Sequence, residues 1–172
     1  LTADNASFRR QTSVGCANIA PQSVENTVLF VQRGNKRLRE ISYRLEADGF
    51  SSSDTSLLAE HLLRPGVKEF CVQRGSNFYV WLLMQDGSVA VLTLNPEQKV
   101  TAWQRMVFPG RRVLQIATLP SAEGHEDEVW FVLQNESAGF ISLERICAAS
   151  GYADALTVVR VTEAGRVSGL PH

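Results

Sequence analysis

Apolar residues in this chain fall in short runs separated by turn-forming residues, the pattern of strands rather than of long helices. The densest run is Phe78-Tyr79-Val80-Trp81-Leu82-Leu83-Met84, apolar at every position, which fits a strand buried on both faces. Asp86-Gly87 follows, a dipeptide suited to a two-residue hairpin whose central residues both take positive φ. Ser88 to Leu94 reads as the second strand, and Asn95-Pro96 marks the next turn. Lys99 to Met106 alternates Thr101, Trp103 and Arg105 with Ala102, Gln104 and Met106, as an edge strand with one wet face does. Val67 to Gln73, just upstream, supplies a fourth strand. Four strands in a meander make one propeller blade or one small sheet.

The pattern recurs. Val28-Leu29-Phe30-Val31, Val80 to Met84 and Val129-Trp130-Phe131-Val132-Leu133 each run into a glutamine (Gln32, Gln85, Gln134) before a turn. Each is followed by a second apolar segment, Leu38 to Leu45, Val89 to Leu94 and Phe140 to Ile146. A strand-only repeat of about 50 residues fits propeller blades better than helical repeats. The expectation is an all-β fold of antiparallel sheets arranged as propeller-like blades, with repeats near 27–46, 67–107 and 111–146. Three units fall short of the roughly four blades that closure needs. Trp81 and Trp130 fall at matching positions of this overlay, which places both in the core. Arg112 to Leu119 reads as a further strand, and Leu156 to Val161 as another.

One short helix is expected near 54–63. Ser52-Ser53-Asp54-Thr55 offers N-caps, Leu58, Leu62 and Leu63 recur at helical spacing, and Pro65-Gly66 ends the segment. Residues 1–27 are polar and irregular. The domain is expected to span 1–165, with 166–172 opening a following module. The start at Leu1 rather than Met reads as a processed or excised piece.

Charge changes the picture little. The chain is 44% hydrophobic and 20% charged, with a net charge of −1, which fits an ordinary globular domain and argues against a dedicated nucleic-acid binder with a basic face. Arg33, Lys36, Arg37, Arg39 and Arg44 give the first hairpin a basic side, offset by Glu40 and Glu46. Cys16, Cys71 and Cys147 are odd in number and far apart, and read as reduced, mostly packed thiols. The excursion carrying Glu123, His125, Glu126 and Asp127 lacks the spacing of a calcium loop, so neither metal nor cofactor is expected. No apolar run is long enough for a membrane span, and no signal peptide is visible.

Four phrases in order carry a family resemblance. They are Phe8-Arg9-Arg10-Gln11 with Gly15-Cys16; Val28 to Gly34 with Arg39-Glu40; Thr55 to Leu62; and Trp81 with Asp86-Gly87-Ser88 through Asn95. With them the chain resembles the tail nozzle (tail tubular protein B-like) proteins of short-tailed bacteriophages, over about residues 5–172 of proteins several times longer. Val167 to His172 is similar to the opening of that family's next module. The resemblance implies a virion structural protein containing a β-propeller. It forms a ring, a hexamer in the parent protein, at the end of the tail below the portal and its adaptor, near the tail fibres. DNA passes through without sequence-specific binding. The implied location is the virion tail, and the bacterial cytoplasm before assembly. The family has no catalytic motif to carry over.

Two rivals remain. An enzyme is disfavoured: G-x-S-x-G, P-loop, Rossmann and H-E-x-x-H motifs are all missing, only three histidines exist, His61, His125 and His172, and His61 has no partner nearby in sequence. A ligand-binding propeller for glycan or peptide would use aromatic residues, and Trp103 on the edge strand is the candidate contact. The basic hairpin is expected to face either the passage or carboxylates of a neighbouring subunit, and the neighbour is favoured because arginine pairs well with carboxylates at interfaces.

Overall fold

A computed structural model describes residues 10, 12–95, 98, 100–122, 124, 126–146, 159–161 and 167–168. The fold is all-β, and every strand pair is antiparallel. The first sheet is β1 (Gln22–Val24), β2 (Thr27–Val31), β3 (Leu38–Arg44) and β4 (Gly49–Asp54). The second is β5 (Val67–Gln73), β6 (Phe78–Met84), β7 (Val89–Asn95) and β8 (Val100–Met106). The third is β9 (Arg111–Leu119), β10 (Glu128–Asn135), β11 (Ile141–Ile146), β12 (Val159–Val161) and β13 (Val167–Ser168). Each is a meander in sequence order. The first strands lie together, β1 beside β5 and β5 beside β9, as the inner strands of neighbouring blades do. The propeller does not close. β13 lies in the stretch expected to open a following module, and it pairs with β12 as a fifth strand. Of the candidate strand at 156–161, residues 156–158 lie outside the described residues.

The all-apolar character of β6 has a direct cause. Val80, Leu82 and Met84 point into a core shared with Leu29, Val31 and Leu38 of the first sheet. Trp81 and Leu83 point the other way, into a core shared with Val113, Val129, Phe131 and Leu133 of the third. β7 divides likewise, Ala90 and Leu92 to one core, Val89 and Val91 to the other. The middle sheet is therefore sandwiched, and burial on both faces removes the alternation a half-exposed strand would show. β8 lies at the sheet edge, as expected. It is mostly exposed on both faces rather than on one, with Trp103 packed against the first core and Met106 against the second.

The turn at Asp86-Gly87 differs from expectation. Only Gly87 takes positive φ, at 83°. Its N–H bonds to Met84 O at 3.0 Å, and Met84 N–H bonds to Ser88 O at 2.8 Å. This is a type I turn followed by a glycine bulge, a three-residue loop, not a two-residue primed turn. Asp86 instead accepts from Ser88 N–H (3.0 Å) and Ser88 Oγ (2.6 Å), so its carboxylate holds the turn without leaving the right-handed region. A Cβ at Gly87 would stand 2.4 Å from Arg112 Cγ. Gly87→Ala should therefore destabilise the protein by about 1–3 kcal/mol, read as a lower urea midpoint with an unchanged slope.

The same hydrogen bonds correct the repeat register. The residues whose N–H closes each hairpin are Gln32 (to Arg37 O), Met84 (to Ser88 O) and Asn135 (to Phe140 O). Gln32 is thus equivalent to Met84, one position from Gln85. A one-residue slip moves every side chain to the opposite face, so the glutamine overlay misassigns the faces of β2. For β10 the slip is two residues and the faces are kept. Trp130 is half-buried, on the face turned away from the middle sheet. Its indole donates to Glu128 (3.2 Å), and Arg145 lies over the ring. Trp81 is buried, donates to Gln73 at 3.0 Å and meets Phe131 edge-on.

The helical segment is shorter than expected: a 3-10 turn at Leu57–Ala59 leading into α1 (Glu60–Leu63). Ser52, Ser53 and Asp54 belong to β4, the fourth strand of the first sheet. Their serine-rich sequence carries no apolar signal because β4 is an edge strand.

Candidate functional surfaces

The first hairpin holds five cations, but the fold uses several of them. Arg37 donates to Asp54 (2.5 Å) and Glu60 (2.6 Å), joining β4 to α1. These bonds, Asp54 first and then the charge of Glu60, raise the guanidinium pKa further. For Asp54, burial is the largest influence and pushes its pKa up. The bonds from Ser56 and Arg37 outweigh it and hold the carboxyl below its usual range. Arg39 bonds Ser52 Oγ (3.0 Å) and Ser52 O (3.1 Å), and Arg44 bonds Ser51 Oγ (3.2 Å). The expected basic side is thus largely stitched into its own sheet. Arg33 and Lys36, exposed on the turn, have no carboxylate in an ion pair among the described residues.

The chain's path brings three other cations to the same rim of the stack. The turns at 32–37 and 85–88, the segment 64–66 and the loop at 107–110 all lie there. Val67 N–H bonds to Asn35 O (2.6 Å), Gln85 N–H to Gly66 O (2.8 Å) and Val113 N–H to Gly87 O (3.3 Å). Arg64, Arg105 and Arg112 therefore join Arg33 and Lys36. Arg64, Arg105, His61 and Asp86 line one concavity of about 290 Å³. Arg105 is the largest charge acting on Asp86, whose pKa falls: burial pushes it up most, and the Ser88 bonds with Arg105 more than reverse that. Sequence reasoning missed this grouping because its members come from separate turns.

Trp103 lines a groove of about 500 Å³ with Glu40, Leu57, Leu58, Leu94 and Thr101. Leu58 is 91% exposed. The indole N–H donates to Thr55 O at 3.1 Å, and the ring packs against the first core, so one face alone is offered to the groove.

Cys16 is exposed, which corrects the expectation of mostly packed thiols, and Cys71 is half-buried against the second core. Burial, and secondly the charge of Glu69, push the Cys71 thiol up to about 12. Because the folded pKa lies above the ordinary value near 9, Cys71 favours the fold below pH 9, and that contribution is lost as pH rises from 9 towards 12. In a Cys147→Ser variant at pH 8, Cys16 should be alkylated much faster than Cys71, whose raised pKa keeps it in the thiol form, measured by mass spectrometry. Cys147, Glu123, His125 and His172 lie outside the described residues, as do Phe8, Arg9 and Gln11. Among the described residues no cluster of three metal-ligating side chains occurs, and no helix is long and apolar enough to cross a membrane. No protein-family model matches the chain, and no curated protein matches it.

Proposed function

We propose that the chain is a domain of a phage virion structural protein of the tail nozzle kind. It acts by presenting surface within a ring around the passage through which DNA leaves the tail, without catalysis. Its partners are other copies of itself, a hexamer in the parent protein, together with the portal adaptor and tail fibre proteins. It is made in the bacterial cytoplasm and resides in the virion tail. The ordered phrases shared with that family are the basis of the reading.

One structural observation supports it best. Among the described residues the stack is open at both ends, and each end face is sheet surface of the kind buried between its neighbours. Val28, Tyr43 and Phe50 are exposed on one, and Leu119 and Ile141 on the other beside half-buried Trp130. Such faces suit further sheets of a larger assembly.

Charge reversal at Arg37 and Arg39 is a poor probe, because both residues hold the fold together. Arg33→Glu with Lys36→Glu is the cleaner variant. It should lower incorporation into tails by at least about tenfold while leaving the melting temperature unchanged. Normal incorporation would count against a role for the hairpin. Turnover of a glycan, peptide or nucleotide by the purified domain, abolished by one point change, would overturn the structural reading.

The groove at Trp103 favours a second reading, a module that binds glycan or peptide. An exposed indole face beside a carboxylate is the usual platform for either. Binding on a glycan or peptide array that Trp103→Ala removes would favour that reading.

A further inference from the structure

The geometry points to a head-to-tail contact between two copies of this chain, the basic rim of one docking on the opposite, acidic rim of the next. This deepens the ring reading by naming the surfaces that meet.

The polarity follows from the connectivity. Every meander turns at the same two rims, so charges in turns far apart in sequence collect on one or the other. Among the described residues the basic rim carries Arg33, Lys36, Arg37, Arg64, Arg105 and Arg112, against Asp54, Glu60, Asp86 and Glu136, and Arg37 is paired with Asp54 and Glu60. Asp86 is already committed to Ser88, and Arg112 spends one N–H on Gln85 O at 3.2 Å. The opposite rim is built from the turns at 25–26, 45–48 and 74–77 and the excursion ending at Asp127. Glu25, Glu46 and Asp48 are exposed there. Asp48 accepts from Tyr43, Glu126 accepts from Ser76 Oγ (2.6 Å), and Asp127 stands 4.0 Å from Arg74. Among the described residues Arg44 and Arg74 are the cations on that side. A chain with a net charge of −1 thus carries separated excesses of opposite sign.

Complementary potentials of this kind steer association and fix orientation more than they add affinity. Contact between two different surfaces of identical copies is heterologous, and it closes into a ring when the rotation allows. Guanidinium groups suit the role because they bind carboxylates in pairs of parallel bonds. Exposed, solvent-screened contacts make the association weak and salt-sensitive.

The test is sedimentation velocity of the full chain over a concentration series at low salt and at about 1 M salt, where the screening length is about 3 Å. Self-association is expected at low salt and not at high salt. Arg64→Glu with Arg105→Glu should weaken it at least about tenfold, and so should Glu25→Lys with Glu46→Lys. Mixing the two variants should restore association, because each supplies the native surface the other has lost. Circular dichroism confirms that both variants fold. A wild-type chain that stays monomeric at low salt, or a mixture that stays monomeric, overturns the contact. A DNA duplex bound by the wild-type rim and not by the Arg64→Glu, Arg105→Glu variant, with self-association unaltered, would assign the rim to phosphates and likewise overturn it. The readout uses purified chain alone, so it is separate from the fate of the tail reading, which is decided in particles.

Discussion

Replacing Arg111 by Met should destabilise the protein by about 3–5 kcal/mol. Glu144 is only 2% exposed, on the face of the third sheet that meets the middle sheet. Arg111 donates to both of its oxygens, at 2.6 and 2.7 Å, and Ser142 Oγ adds a bond at 2.9 Å. Removing the guanidinium leaves a buried carboxylate with one neutral donor, and that unpaired charge, more than the lost attraction, sets the size of the effect. Replacing both partners, Arg111→Met with Glu144→Leu, should recover most of the loss. Equilibrium urea unfolding of the two single variants and the double variant gives the coupling. If Arg111→Met costs less than about 1 kcal/mol, the carboxylate has found water or another partner, and the buried pair is misassigned.

The two tryptophans of the repeat should behave differently. Trp81→Ala should cost about 3–5 kcal/mol. The indole fills the core between the second and third sheets, against Phe131 at 5.5 Å between ring centroids. Its loss also strands Gln73, which is itself buried and bridges the sheets by donating to Asp127 O at 2.8 Å. Trp130→Ala should cost only about 1 kcal/mol, because the ring is half-exposed and leaves little cavity. Equal costs would show that the outer face of the third sheet is as buried in solution as the inner one.

That contrast shows what the sequence could and could not reveal. The all-apolar run of β6 announced a strand buried on both faces, since no other placement tolerates it. The edge position of β8 was legible in its alternation. Face assignment failed at β2, because matching strand-ending glutamines carries no information about which residue closes the hairpin. At Trp130 the face was kept and the burial failed, since among the described residues no further sheet covers the outer face of the third. The closing residue is fixed by the turn hydrogen bonds of Gln32, Met84 and Asn135. β4 was illegible because an edge strand of serines buries little, and its register comes from pairing with β3. The basic hairpin was visible as composition. Its consumption by Asp54, Glu60 and Ser52 was not, since those partners sit on a strand and a helix that only folding brings near. The rim formed by Arg33, Lys36, Arg64, Arg105 and Arg112 was invisible for the same reason.

The polar stitching between sheets has the same origin. Lys68 donates to Leu114 O at 2.6 Å, and Glu69 accepts from Ile116 N–H at 2.8 Å. Both act where a bulge between Val132 and Leu133 disturbs the pairing of β9 and β10. Side chains of β5 thus satisfy the backbone of β9, an edge strand that would otherwise offer unpaired groups to any passing strand.

The central claim, that this chain is a wall element of a tail ring, is tested most directly by a reconstruction of purified tails with the domain docked. The account predicts copies of the three-sheet stack arranged symmetrically around the channel, with the end faces of each stack covered by neighbouring protein. Tails in which no density fits the stack, or particles that assemble and deliver DNA normally with the domain deleted, would contradict it.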